Sequence, residues 1–167
     1  GIRSRTPLPG TGRVRKHAQA MSMQAMGEEA YADLRKKIWH IAEQVMTVFE
    51  HIMPDARTIF VGRAAQGLID AGVTIHIRLF TRHSVTEIAQ SLVDFGYNEP
   101  AFATVETRFG RLQQVRLNEE GQEVLLTRCV PEMFERDDVS HTDLTTGKPI
   151  AMLTLPALRR QIDESTR

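Results

Sequence analysis

Apolar residues recur at helical spacing over a long early segment of the chain. They follow one another every three or four positions and form one stripe, made of Tyr31, Leu34, Ile38, Ile41, Val45, Val48 and Ile52. This spacing places them all on one face of an α-helix. Pro54 ends that helix, because proline cannot continue the backbone hydrogen bonding. Gly27 divides it from an earlier helical stretch that begins near His17, since glycine inside a helix costs about 1 kcal/mol relative to alanine. The pattern predicts a long helix laid on a sheet.

Two strands are predicted directly after this helix. Residues 59–61 form a short apolar run, and in residues 73–80 every second position carries an aliphatic side chain. Alternation of this kind puts Val73, Ile75, Ile77 and Leu79 on one face of the strand and Thr74, His76, Arg78 and Phe80 on the other. We expect the second strand to be central in the sheet, paired with the first and covered by the long helix.

The remaining pattern mixes strands with separate helices. A capping box at Ser84–Glu87 starts a helix, Gly96 ends it, and Thr154 caps a final helix. Further strands are predicted over 105–109, 112–117 and 124–130, and residues 131–149 are predicted to be loop. Such an order indicates an α+β protein with a mixed or antiparallel sheet and helices packed on one face.

Composition is that of an ordinary globular protein, with 41% apolar and 25% charged residues. The chain contains no run of 18 apolar residues, which a membrane-spanning helix would need. A cytoplasmic location is therefore expected. The chain begins with Gly1 and not Met, so a processed or membrane-anchored form stays open.

Charge is distributed unevenly, although the formal net charge is zero. The first acidic residue is Glu28, and all the charged residues before it are basic: Arg3, Arg5, Arg13, Arg15 and Lys16. We expect residues 1–16 to be a basic, flexible leader and residues 17–167 to form a single domain. A basic leader can bind RNA, DNA or anionic lipid, or it can simply be solvated.

The segment from Gly62 to His76 resembles the active-site hairpin of the nucleotidyltransferase superfamily, the group with a DNA polymerase beta-like fold. In that family a glycine followed by a small polar residue opens a turn, and two carboxylates one residue apart on the next strand hold metal ions. Aligned from Gly62, with Gly67 also in step, the two carboxylate positions fall on Thr74 and His76. The resemblance covers roughly residues 34–130 and implies the family's fold.

The residues that carry the family's chemistry differ in this chain. The resemblance places the family's third acid at Leu125, and Arg63 stands where the family usually has serine. The family clamps its substrate with two metal ions, and magnesium requires hard oxygen ligands such as carboxylates. Because all three acid positions lack a carboxylate, we expect no two-metal catalysis, no bound metal and no cofactor.

Three functions remain open. The first is a binding or regulatory module whose cleft holds a nucleotide or another phosphate-bearing molecule. Its ligand-binding candidates are Gly62, Arg63, Gly67, Thr74, His76 and Arg78. One further arginine, from among Arg108, Arg116 and Arg128, would complete a cradle for an anion. The simplest alternative for the strand is that its polar residues only face solvent.

The second possibility is an active nucleotidyltransferase that transfers a nucleoside monophosphate with magnesium, using Asp70 and Glu123 as displaced acids. The third is a structural or interaction protein that acts through the basic leader or the methionine-rich first helix. The arrangement of charges on the sheet distinguishes the first two, because clustered arginines favour a binder and clustered carboxylates favour an enzyme.

Overall fold

The computed structural model describes residues 20, 21, 24 and 26–166. Within this part of the chain the helices are α1 (Glu28–Ile52), α2 (Val85–Asp94), α3 (Asp137–Ser140) and α4 (Leu155–Ser165). The strands are β1 (Arg57–Val61), β2 (Ile75–Phe80), β3 (Ala101–Thr107), β4 (Gly110–Glu119), β5 (Gln122–Cys129) and β6 (Met152–Thr154).

The six strands form one mixed sheet in the order β3-β4-β5-β2-β1-β6. Strand β2 is antiparallel to β1 and parallel to β5, so it lies at the centre of the sheet. In this register His76 pairs with Val61 on one side and with Leu125 on the other. The predicted α+β class and the central, β1-paired position of β2 are confirmed.

The apolar stripe of α1 is buried against one face of this sheet. Ile38, Val45 and Phe49 of α1 belong to the same buried cluster as Ile75 and Ile77 of β2. Helices α2 and α4 contribute to this cluster as well, so the three long helices share one face. The helix on a sheet that the periodicity predicted is confirmed, and the burial of apolar surface stabilises it.

Residues 131–150, here called the covering segment, lie on the opposite face of the sheet. The prediction of a loop over 131–149 is wrong in part, because this segment contains a 3-10 helix (Pro131–Glu135), α3 and a β-bridge between Thr142 and Pro149. It packs Met133, Val139 and Leu144 on a second cluster of sheet residues, Ile59, Val61, Phe80 and Cys129. Part of the sheet's second face is thereby closed to solvent.

The turn after β1 is attached to α1 by two buried aromatic residues. The Tyr31 hydroxyl donates to the carbonyl oxygen of Gly67 and accepts from the amide of Ile69 at 3.2 Å. Trp39 Nε1 donates to the carbonyl oxygen of Ala64 at 2.9 Å. Residues 62–69 are therefore positioned by α1 as well as by the strands that they connect.

Local start and stop signals match the prediction closely. Both hydrogen bonds of the Ser84–Glu87 capping box are present, Thr154 accepts from the amide of Ala157, and Gly27 precedes α1 with φ of 85°. The predicted strand over 105–109 is displaced: β3 spans 101–107, and Phe109 lies in the turn before β4. Strand β6 was not predicted, because three residues carry too little periodicity and only pairing with β1 defines them.

The predicted leader, residues 1–16, lies outside the described residues, and its flexibility stays a prediction. In the part of the chain that the structure covers, no helix is long and apolar enough to cross a membrane.

Replacing Tyr31 with phenylalanine tests the attachment of the turn to α1. The variant leaves a buried carbonyl and a buried amide without their partner, so we expect the free energy of unfolding to fall by about 1–3 kcal/mol. Tyr97→Phe makes the same chemical change at a half-buried position and should change that free energy by no more than about 0.5 kcal/mol. Urea unfolding measures both. Equal, small effects would show that the Tyr31 hydroxyl does not hold the turn.

Candidate ligand-binding cleft

A cleft of about 580 Å³ opens on the sheet face opposite the three long helices. Its floor is formed by β2 and β5, and its walls come from the turn after β1, from β3 and from the end of the covering segment. The volume lies within the range of about 300–1,000 Å³ that is typical of small-molecule sites. Most of the residues predicted from the sequence line it: Gly62, Arg63, Asp70, Thr74, His76, Arg78 and Leu125.

The three positions that correspond to the family's acids lie together on the floor of this cleft. The predicted strand over 73–80 begins only at Ile75, so Thr74 immediately precedes β2 and His76 lies on it. Leu125 is the parallel partner of His76 on β5. The alignment from Gly62 thus predicts three positions that lie side by side in the structure. None of the three side chains is a carboxylate, and Leu125 offers no metal ligand at all.

Glu123 lies beside these positions but is occupied by two neighbours. It is two residues before Leu125 on β5, on the same strand face, as predicted. Its carboxylate accepts from the Thr74 hydroxyl at 3.1 Å and lies 3.4 Å from Arg116 Nε. The acid therefore binds Thr74 and an arginine of β4 at the margin of the cleft.

Asp70, the other candidate acid, faces Arg63. Asp70 Oδ2 lies 3.3 Å from Arg63 Nη2, and both side chains are partly exposed at the cleft wall. The second oxygen, Oδ1, accepts from the amide of Gly72 at 2.9 Å and so stabilises the loop before β2. This carboxylate forms an ion pair across the turn and does not stand on the strand.

A two-metal site does not fit these residues. Within residues 20–21, 24 and 26–166, no group of three or more His, Cys, Asp or Glu side chains is placed to hold a metal ion. The two candidate acids, Asp70 and Glu123, each face an arginine, which compensates the negative charge that would attract a cation. The clustered carboxylates that would favour the enzyme are thus not found in this arrangement.

Arg78 is buried, and its guanidinium binds protein carbonyls. Only 4% of the residue is exposed, so the alternative of a solvent-facing side chain is wrong at this position. Nη1 donates to the carbonyl oxygen of Val139, and Nη2 donates to that of Thr142 at 2.8 Å. Arg78 therefore holds the covering segment on the sheet, although one side of it borders the cleft.

The predicted cradle of several arginines does not form. Arg108 donates to the carbonyl oxygen of Asp138 at 3.0 Å, Arg116 pairs with Glu123, and Arg128 donates to the carbonyl oxygen of His83 at 2.7 Å. Strand register and loop packing direct each of them to another partner. In the described part of the chain, Arg63 and Arg78 are the only arginines or lysines that line the cleft.

The two glycines of the predicted motif have different surroundings. Gly62 has φ of 91°, which favours glycine, and a Cβ there would lie 4.0 Å from the His76 ring. Gly67 does not line the cleft: it ends a 3-10 helix (Ala64–Gln66), and a Cβ would lie 3.4 Å from Arg35 of α1. The predicted ligand-binding position at Gly67 therefore packs against a helix.

Asp143 lines the cleft and was not found from the sequence. Its Oδ1 accepts from the amides of Thr145 and Thr146, both at 2.8 Å. Burial raises the pKa of this carboxyl, but these amides and the nearby Arg78 more than offset that effect, and the pKa lies below its ordinary value. The run Asp-Leu-Thr-Thr-Gly is typical of a turn closed by an aspartate, yet only the packing of the covering segment brings it to the sheet.

The surroundings of His76 lower the pKa of its imidazole. Burial lowers its pKa below the ordinary value of 6.5; Glu123 acts in the opposite direction, Arg78 lowers the pKa further and Asp143 raises it. A neutral imidazole can donate one hydrogen bond and accept another. His76 therefore offers a ligand a polar contact, and its lowered pKa disfavours the charged form.

Comparison with known proteins gives a likeness to solved structures alone. Neither the models of protein families nor the curated proteins contain a match. A cytoplasmic RNA terminal U-transferase matches with a TM-score of 0.49 and 14% identity, covering 68% of this chain and 35% of that one. The polymerase core of TRAMP, an RNA surveillance complex, matches with a TM-score of 0.41 and 12% identity over 80% of this chain and 34% of that one.

A third match is the non-canonical poly(A) polymerase complex GLD-2–GLD-3, with a TM-score of 0.46 and 10% identity over 72% of this chain and 40% of that one. The present chain thus spans between a third and two fifths of these structures. These solved structures, an RNA terminal U-transferase and two polymerase assemblies, are what the chain is similar to. At TM-scores below 0.5, no activity, substrate or partner follows from this likeness.

Titration of His76 tests the electrostatics of the cleft. We expect an NMR midpoint below 6.5, and a further decrease in Glu123→Gln, which removes a negative neighbour. Because the folded-state pKa is lowered, the contribution of His76 to stability is complete above pH 6.5 and is lost as the pH falls through the folded pKa. The loss of resonance in His76→Gln identifies the signal. A midpoint at or above 6.5 would contradict this account of the site.

Proposed function

We propose that this protein is a nucleotidyltransferase-like binding or regulatory module, whose cleft holds a small phosphate-bearing ligand, such as a nucleotide, without two-metal catalysis. One observation carries the proposal. The positions of the family's acids, at Thr74, His76 and Leu125, lie side by side on the floor of a 580 Å³ cleft and contain no carboxylate.

The lining of the cleft supports ligand binding. Apolar side chains of Val61, Leu125, Leu144 and Ile150 line the cleft beside a few polar groups, which is the usual composition of a small-molecule site. Among the polar groups are Gln114 and Thr127, which bind each other at 3.1 Å on the sheet surface. Arg63 stands at the wall with an exposed side chain, where its guanidinium can bind a phosphate through two parallel hydrogen bonds.

The same arrangement argues against turnover by displaced acids. Catalysis by two metal ions needs carboxylates that bridge both ions. Asp70 and Glu123 instead lie opposite Arg63 and Arg116. Binding without turnover is the property expected of a regulatory domain. Contact with nucleic acid through the basic residues of the leader is a separate part of this proposal.

Ligand screening tests the proposed function. We expect a thermal-shift screen of nucleotides and phosphorylated metabolites to give a hit that is weakened in both Arg63→Ala and His76→Ala. Loss of the Arg63 contact should reduce affinity by about ten- to a hundredfold. The melting temperature without ligand should change little in Arg63→Ala, because 59% of that side chain is exposed.

Arg111→Ala is the matched control for this screen. Arg111 is also exposed and paired with a carboxylate, that of Glu106, but it does not line the cleft. The variant should retain full affinity. If no compound of either class binds, or if Arg111→Ala loses as much affinity as Arg63→Ala, the proposed site is wrong.

Calorimetric titration with magnesium or manganese tests the non-catalytic part of the proposal. We expect no stoichiometric site, because the strand positions that would hold the ion carry threonine, histidine and leucine. Asp70→Asn and Glu123→Gln should therefore leave the titration unchanged. A site that disappears in either variant would favour the active nucleotidyltransferase.

A further inference from the structure

We infer that the cleft selects a ligand with a single phosphate on an apolar or heteroaromatic body, of which a nucleoside monophosphate is the simplest example, and discriminates against triphosphates. This inference rests on the proposed binding function and specifies the ligand class of the same site. It follows from the charges that line the cleft and from the partners that those charges already have.

Positive and negative side chains balance around the cleft. In the described part of the chain, its charged lining consists of two arginines, Arg63 and Arg78, and two carboxylates, Asp70 and Asp143. Both terminal nitrogens of Arg78 donate to backbone carbonyls, and the residue is 4% exposed. Among the described residues that line the cleft, Arg63 is the one exposed arginine or lysine that remains to meet a ligand.

A single exposed guanidinium can bind one phosphate group, in both charge and geometry. A phosphate monoester carries a charge of about −1.5 to −2 at pH 7, and Arg63 can bind it in the bidentate geometry that arginine favours. Each further phosphate of a chain adds negative charge. With no carboxylate at Thr74, His76 or Leu125, the residues lack the platform on which metal ions would neutralise that charge.

Asp143 makes the cleft less favourable for a longer phosphate chain. Its amide hydrogen bonds hold the carboxyl in the charged form, and the covering segment presents it at the wall of the cleft. A second and a third phosphate would meet this negative charge, and among the described residues that line the cleft no further exposed arginine or lysine would compensate it. Like charges at close range in a protein repel each other more strongly than they do in water.

Asp70 sets the affinity for the first phosphate. It forms an ion pair with Arg63 at 3.3 Å, so a ligand must compete with it for the guanidinium. Asp70→Asn removes the competing charge and keeps an Oδ1 that can accept from the amide of Gly72. This variant should bind a monophosphate more tightly than the wild type does. The Arg63→Ala variant, in contrast, should bind the monophosphate no more tightly than it binds the nucleoside.

The experiment is isothermal titration calorimetry on the full chain with adenosine, AMP, ADP and ATP, and with the corresponding uridine series, in buffer containing EDTA. We expect the monophosphate to bind about tenfold or more tightly than both the nucleoside and the triphosphate, the size of one charge-assisted contact. Asp70→Asn should raise monophosphate affinity several-fold. Asp143→Asn keeps the Oδ1 that accepts from the amides of the turn. This variant should reduce the difference in affinity between the monophosphate and the triphosphate.

The outcomes separate this inference from the proposed function. A triphosphate that binds as tightly as the monophosphate overturns the inference and leaves the proposed function standing. The inference also fails if added magnesium reverses the order of affinities. If no nucleoside or nucleotide binds, and phosphorylated metabolites give no hit either, the proposed function itself is overturned.

Discussion

A buried arginine at the centre of the sheet determines how the cleft is built. Arg78 lies on the central strand under the covering segment, and a buried charge without partners would cost several kcal/mol. The carbonyl oxygens of Val139 and Thr142 meet this requirement, and so the covering segment must lie on this face. Its position in turn brings Asp143 and Leu144 to the wall of the cleft.

The opposite wall of the cleft, formed by the turn after β1, is held in place by α1, which packs on the other face of the sheet. Tyr31 and Trp39 of α1 hydrogen-bond the backbone of the turn after β1, so the helix that fills the core also positions Arg63. The two walls depend on separate sets of contacts. The wall at the turn after β1 is held by apolar packing and two side-chain hydrogen bonds, and the wall at the covering segment is held by the buried charge of Arg78. A cleft with walls held in this way is formed before a ligand arrives, which reduces the ordering cost of binding.

In this cleft the backbone arrangement does not depend on the chemistry of the side chains that it carries. Backbone register places positions 74, 76 and 125 together whatever side chains they carry, because strand pairing depends on main-chain hydrogen bonds. What a site can do chemically depends on the side chains that it carries. These positions carry threonine, histidine and leucine, and the acids nearby face arginines. The proposal of a singly charged anion as the ligand, and not a cluster of cations, rests on this arrangement.

Patterns local in sequence were sufficient to predict α1, the two faces of β2 and the capping box at Ser84, because each depends on residues close in sequence. The alignment from Gly62 came instead from the resemblance to a family. The partners of the arginines could not be predicted in this way. Whether Arg78 faces solvent or carbonyls, whether Gly67 meets a ligand or α1, and whether Asp143 reaches the sheet all depend on contacts between segments far apart in the chain. The sequence by itself therefore determined the fold class and the positions of the candidate site, while tertiary packing decided its charge, because burial and pairing of charged groups are properties of the assembled structure.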